Sequence, residues 1–249
     1  METGVSENRF ALVVPTLNEA GNIGKILPEL TAALRASRYE YEIDVVDDGS
    51  TDGTVEQVQE LAGRDPHIRL LSRTSERGLA GAVLYGWSQS RANLLGVIDA
   101  DLQHPPELLP ELLRAAEKAD VVIASRYAKN HDVKGWNPVR AAISRLSTLA
   151  AAPLIGKKKL RVTDPMSGFF VIRRRCIEGL TFQTSGFKLL LEILVRGRIR
   201  SAMEIPYRFG LRQRGRSKAN ATVALHYLHL LGRLSRDLVL QSSGQSGER

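Results

Sequence analysis

The chain of 249 residues is poor in several things that would have pointed elsewhere. Its single cysteine, Cys176, rules out an intrachain disulfide and agrees with a reducing compartment. The opening METGVSENRF lacks the basic start and apolar stretch of a secretory signal. No uncharged apolar run reaches the roughly 18 to 20 residues that cross a bilayer, so a cytoplasmic protein is expected. No Gly-x-Gly-x-x-Gly follows the first apolar run, which argues against a nicotinamide-binding enzyme. His226 and His229 lie three apart with no third ligand nearby, a poor basis for a metal pair. Internal repeats and interdomain linkers are also lacking.

The charge is unevenly placed. Residues 1–120 hold 11 Lys and Arg against 20 Asp and Glu, whereas residues 157–218 hold 16 against 4. An acidic half suits a divalent cation, and a basic half suits phosphates or an anionic surface. The same bias would arise if lysine and arginine only decorated a solvated face. A basic nucleic-acid-binding module is the competing class, and it would not explain the acidic motifs of the first half.

Strand-like and helix-like segments alternate through residue 126. FALVVPT, YEIDVVDDGS, IRLLS, LLGVIDAD and VVIASR read as strands. Between the first two, Ile23, Ile26, Leu27, Leu30 and Leu34 recur at helical spacing. The pattern predicts an α/β fold with a doubly wound, mostly parallel, Rossmann-like sheet, its ligands beyond the strand carboxyl ends. Polar residues fall there: Thr16 to Glu19, Asp47 to Ser50, Asp99 to Asp101, and Ser125-Arg126. Further on, FFVIRR, FKLLLEILVRG and SAMEIPYRF read as another βαβ-like stretch. Residues 139–156 and 219–240 read as amphipathic helices, either buried or lying in a membrane interface with Lys157, Lys158, Lys159, Arg233 and Arg236 toward lipid head groups. Residues 241–249 read as a disordered tail.

Asp99-Ala100-Asp101 places two carboxylates at a strand end, with the Gln103 amide oxygen within reach. Hard ions such as Mg²⁺ or Mn²⁺ prefer such oxygens. A divalent ion there would stabilise a departing diphosphate.

VVPTLNE, VVDDGSTDGT, VIDADLQHPPE, SRY, DPMSGFF, LLLEIL and FGLRQRGRSK occur here in the order seen in family 2 glycosyltransferases, which the chain resembles from about residue 9 to 220. Within that family it is most similar to the polyprenyl-phosphate and dolichyl-phosphate mannose synthases. The resemblance implies a GT-A domain over residues 1–218, a GDP-mannose donor, and Mg²⁺ or Mn²⁺. It also implies inverting transfer to a polyprenyl or dolichyl phosphate by a peripheral protein on the cytosolic face of a membrane. An anchoring subunit is compatible with this, and no nucleic-acid partner is expected. The alternative is a family 2 transferase using UDP-glucose or another nucleotide sugar, with a lipid phosphate or another acceptor; Leu17, where many relatives have tyrosine, leaves the nucleotide open. Processive polymer synthases are disfavoured, since neither Gln-x-x-Arg-Trp nor a spanning helix is present.

Carried over by motif, Pro15, Asn18 and Glu19 would line the nucleotide pocket. Asp47 and Asp48 would touch base or ribose. Asp99, Asp101 and Gln103 would hold the metal and diphosphate, while Arg212, Ser217 and Lys218 would close over the diphosphate. Arg126 and Arg140 would grip the acceptor phosphate, with Ser167, Gly168 and Glu192 on the sugar side. Asp101, Arg126 and Arg140 would be the catalytic set. Plainer readings stay open for several of these. Pro15 and Asn18 suit an ordinary turn, the two arginines a surface, RQRGRSK a solvated stretch, and Glu192 a helical pair with Lys188. A phosphate monoester has its second pKa near 6, so the acceptor is largely dianionic at neutral pH and needs no general base. It needs orientation and charge balance, which arginines supply.

Overall fold

The structure, a computed structural model, describes residues 8–74, 77–128, 148–156, 160–182, 188–207 and 229–236. A seven-stranded sheet in the order β3-β2-β1-β4-β6-β5-β7 forms its centre. The strands are β1 (Arg9–Thr16), β2 (Glu40–Asp47), β3 (Ile68–Ser72), β4 (Leu94–Val97), β5 (Val121–Ser125), β6 (Phe170–Arg173) and β7 (Ala202–Pro206). The helices are α1 (Ala20–Arg35), α2 (Thr54–Arg64), α3 (Leu79–Ser88), α4 (Leu109–Ala115) and α5 (Leu189–Arg196).

Strand β1 shows why the sheet is covered on both faces. Phe10, Leu12 and Val14 join the core under α1 and α4, while Ala11 and Val13 join the core under α3 and α5. Both sets are fully buried, so the strand is apolar throughout rather than alternating with polar residues. On α1 the expected stripe Ile23, Ile26, Leu27, Leu30 and Leu34 is fully buried. Each such side chain contributes roughly 1.5 to 3 kcal/mol. Helix α3 lies close on the sheet because Gly86 has no side chain: a Cβ there would stand 2.6 Å from Val13 Cγ2.

The expected βαβ continuation takes a different form. Strand β6 runs antiparallel to both β4 and β5 and lies between them, whereas β7 pairs parallel with β5. Its Phe170, Val171 and Ile172 put buried apolar side chains on both faces, and such a run carries no mark of direction. Its insertion draws the segment just before it, residues 160–169, across the carboxyl ends of β4 and β5.

The described turns of both amphipathic helices are packed inward. Ala151, Leu154, Ile155 and Leu234 are buried in the same core as α5. Residues 148–156 also present Leu149, Ala150, Ala152 and Pro153 outward, with Leu149 66% exposed. The segment therefore has an inner apolar face joined to the core and an outer apolar face turned away from it. Among the described residues no helix is long and apolar enough to cross a membrane. Residues 129–147, 157–159, 219–228 and 237–249 lie outside the described residues. Leu234→Ala is expected to cost about 2 to 5 kcal/mol in urea denaturation, the range for a truncated core leucine. A loss below about 1 kcal/mol would mean that this turn is not docked.

Candidate active site

The loops after β1 and β2 are laced together by the residues that read as nucleotide-binding. Asp47 is buried and folds its own turn: Oδ2 accepts the backbone N–H groups of Gly49 and Ser50, both at 2.9 Å. Ser50 Oγ in turn accepts the Asn18 N–H at 2.8 Å, and Asn18 Oδ1 accepts the Thr51 N–H at 2.9 Å. Asn18 sits at φ 59°, a left-handed conformation that asparagine tolerates. Asp52 reaches back to accept the Ala20 N–H at the start of α1, and Thr54 Oγ1 accepts the Glu19 N–H. Glu19 Oε2 accepts from the Asn22 amide at 2.7 Å. Pro15 is the partly buried penultimate residue of β1. Much of VVDDGSTDGT is thus the chemistry of two interlocked turns.

Asp48 ties in the third loop. Its Oδ1 accepts Arg73 Nη1 at 2.8 Å and its Oδ2 accepts the Gly78 N–H at 2.7 Å. Both groups are largely buried, so Asp48 fixes Arg73 and Gly78 against the end of β2. Arg73 carries no motif and was not legible as a site residue.

Beyond β4 the acids have distinct settings. Asp101 is buried, and its Oδ1 accepts the Gln103 N–H at 3.1 Å, closing a turn in which Leu102 adopts φ 60°. A non-glycine residue held left-handed carries strain of order 1 to 2 kcal/mol, a feature common at functional sites. Asp99 is 29% exposed in its side chain and lies 3.8 Å from His104 Nδ1. Burial, and next the positive charge of Arg126, push the His104 pKa down to about 3, so the imidazole is neutral and the contact is not an ion pair. Gly168 sits directly on the Asp99 carboxylate. A Cβ there would fall within 2.7 Å of Asp99 Cγ and closer still to Oδ2.

Arg126 is not a surface arginine. Asp164, fully buried, takes its Nε at 2.7 Å, its Nη2 at 2.6 Å and its backbone N–H at 3.0 Å. Burial opposes the guanidinium charge, but the bidentate bond to Asp164 outweighs it and raises the pKa. Ser167 Oγ donates to the Ala124 carbonyl at 2.7 Å, which fixes the turn carrying Gly168 to the end of β5. Lys188, just before α5, is electrostatically coupled to this cluster. Burial and then Arg126 bring its ammonium down to about 8, against the pull of Asp164 and Asp99. It stays mainly charged at neutral pH. The structure so joins Asp99, Asp101, Gln103, Arg126, Ser167 and Gly168, and adds Asp164 and Lys188.

The Glu192 side chain is engaged along α5, one turn beyond Lys188. Where the sequence offered Lys188 as its partner, its carboxylate meets Arg196 at 2.8 Å and Arg233 at 3.0 Å, bracing α5 against residues 229–236. Arg140, Arg212, Ser217 and Lys218 lie outside the described residues.

Residues 11–181 match the family model described as glycosyl transferase family 2. The chain belongs to that family. The matched span holds every strand end from β1 to β5 and the Asp164–Gly168 turn; Lys188 and β7 fall after it. The dolichol-phosphate mannosyltransferase of Pyrococcus furiosus is 38% identical over 230 residues, covering 92% of this chain and 64% of that protein. The Saccharomyces cerevisiae protein of the same name is 35% identical over 235 residues, covering 90% and 86%. Among solved structures, glucosyl-3-phosphoglycerate synthase from Mycobacterium tuberculosis with Mn²⁺, UDP and glucosyl-3-phosphoglycerate has a TM-score of 0.61 at 21% identity, covering 93% of this chain and 77% of that one. Its complex with UDP has a TM-score of 0.64 at 20% identity, covering 90% and 80%. These likenesses show a shared GT-A fold.

Removing one member of a buried charge pair leaves the other uncompensated, at a cost of about 3 to 5 kcal/mol. Asp164→Ala is expected to lose that much in urea denaturation, and adding Arg126→Leu is expected to restore a good part of it. Equal stability of Asp164→Ala and the parent would show that the pair is not buried as described.

Proposed function

We propose that this chain transfers mannose from GDP-mannose to a polyprenyl or dolichyl phosphate by a single inverting displacement, with Mg²⁺ or Mn²⁺, at the cytosolic surface of a membrane. The observation that carries this reading is that the turn before β6 links the Asp99/Asp101 acid pair at the end of β4, through Gly168, to the buried Arg126–Asp164 pair at the end of β5. The names of the relatives support the acceptor and the sugar.

The residues present fit a divalent ion. Asp99, Asp101 and Gln103 offer hard oxygens, and the neighbouring His104 is neutral and buried. Among the described residues no three His, Cys, Asp or Glu side chains converge, so the protein would supply part of the coordination shell and leave the rest to the donor and water. When bound, such an ion supplies Lewis-acid charge to the leaving diphosphate.

The chain's own groups account for the remainder. Asp101 is preorganised by its turn with Gln103, so its carboxylate is placed before any ligand arrives. Asp164 takes the Nε and Nη2 edge of Arg126 and so fixes the plane of the guanidinium, the group proposed here for the acceptor phosphate. Lys188 adds a second positive charge at that strand end. Arg140 is proposed on sequence grounds as a further acceptor-phosphate cation, and Arg212, Ser217 and Lys218 as diphosphate contacts. No histidine base is required, because the acceptor phosphate is already a strong nucleophile as its dianion. The outward apolar face of residues 148–156 supports peripheral contact with lipid, while its inner face stays in the core.

The test is incubation with labelled GDP-mannose, UDP-glucose and other nucleotide sugars, a polyprenyl phosphate and Mn²⁺. Organic-extractable label from GDP-mannose is expected. Label from UDP-glucose instead would change the donor, and none from any sugar would overturn the reading. Asp101→Asn should lower kcat by about a hundredfold or more. Arg140→Ala should raise the KM for lipid phosphate while donor binding persists; equal loss of both would contradict that role.

A further inference from the structure

Strand β7 lies at the edge of the sheet, and Glu204 stands on it opposite Ile123 of β5. An acid on an edge strand often does no more than discourage pairing with another chain. Glu204 has a more specific set of partners. Its Oε2 accepts the backbone N–H and the hydroxyl of Thr163, both at 2.9 Å, and its Oε1 accepts the backbone N–H of Asp164, also at 2.9 Å. Residues 163–164 belong to no strand or helix, so no ladder holds these two N–H groups. The Glu204 carboxylate takes the place of one.

What it holds is the residue that aims Arg126. The Asp164 N–H is fixed by Glu204, and the Asp164 carboxylate fixes Nε and Nη2 of Arg126 at 2.7 and 2.6 Å. Thr163 closes the arrangement from the other side. With its hydroxyl donating to Glu204, its oxygen lies 3.2 Å from Ser125 Oγ, which accepts the backbone N–H groups of Tyr127 and Ala128 around Arg126. The backbone that carries the guanidinium's anchor, at residues 163 and 164, is therefore referred to one carboxylate on β7.

We infer that Glu204 is a positioning residue for the acceptor phosphate, acting through Thr163 and Asp164 on the orientation of Arg126. The inference rests on the proposed acceptor role of Arg126. Hydrogen-bonded partners one layer behind a ligand-holding group commonly change its affinity by about tenfold or more when altered. Glu204→Gln keeps the size of the side chain but offers one oxygen and one NH₂. Either Thr163 or Asp164 then faces a donor instead of an acceptor.

The experiment measures steady-state KM for polyprenyl phosphate and for the nucleotide sugar in the parent, Glu204→Gln, Thr163→Val and Arg126→Lys, with melting temperatures. Glu204→Gln is expected to raise the acceptor KM about tenfold, leave the donor KM unchanged, and lower the melting temperature by no more than about 4 °C. Thr163→Val, which removes one of the three contacts, should give a smaller change of the same kind. A purely structural role would move both KM values together or only the melting temperature, and either result overturns the inference. If Arg126→Lys raises the acceptor KM while Glu204→Gln and Thr163→Val do not, Glu204 loses its positioning role and the reading of Arg126 stands. If Arg126→Lys leaves the acceptor KM unchanged, the acceptor role of Arg126 and the inference built on it both fall.

Discussion

The contact on which the site depends is that between Gly168 and the Asp99 carboxylate. Asp99 follows β4, in the half of the sheet built from β3, β2, β1 and β4; Gly168 precedes β6, in the half that also holds β5 and β7. Only a residue without a side chain lets the two approach so closely. Because β6 is inserted antiparallel between β4 and β5, the segment entering it must cross the carboxyl ends of both neighbours. That crossing brings Asp164, Ser167 and Gly168 beside Asp99 and Arg126. The antiparallel strand is thus the feature that turns two separate strand ends into one site.

Around this junction the polar groups divide by what they hold. Asp47, Asp52 and Ser50 are consumed in holding the first two loops together, and Asp48 in holding the third. Asp164 holds Arg126. Asp99, partly exposed, and Asp101, set by its turn, supply the negative charge at the end of β4. Among the described residues, three carboxylates with Arg126 and Lys188 leave a local negative excess, which suits a divalent ion.

Much of this was legible in the sequence because apolar runs mark the strands and polar clusters mark the loops at their carboxyl ends. The α1 stripe, the first five strands and the placement of Asp99, Asp101 and Ser125-Arg126 beyond them all come from that logic. The direction of β6 did not, because Phe170, Val171 and Ile172 are apolar on both faces and such a run carries no mark of direction. Nor did the partner of Arg126, since Asp164 lies 38 residues on and only the crossing before β6 brings them together. Its motif, DPMSGFF, marked the turn without revealing which residue faced which. Arg73, Lys188 and Glu204 carry no local signal, being single charges whose meaning is set by tertiary contact. The amphipathic segments were ambiguous for a related reason: at residues 148–156 both faces are apolar, one for the core and one turned outward.

The central claim is that the β4 acids hold a nucleoside diphosphate through a shared divalent ion. Calorimetric titration of GDP with and without Mn²⁺ tests it most directly, in the parent chain and in Asp99→Asn. The account requires that Mn²⁺ tighten GDP binding at least about tenfold, or 1.4 kcal/mol, and that Asp99→Asn remove most of that gain. Equal affinity with and without the ion, or a gain untouched by Asp99→Asn, would contradict it.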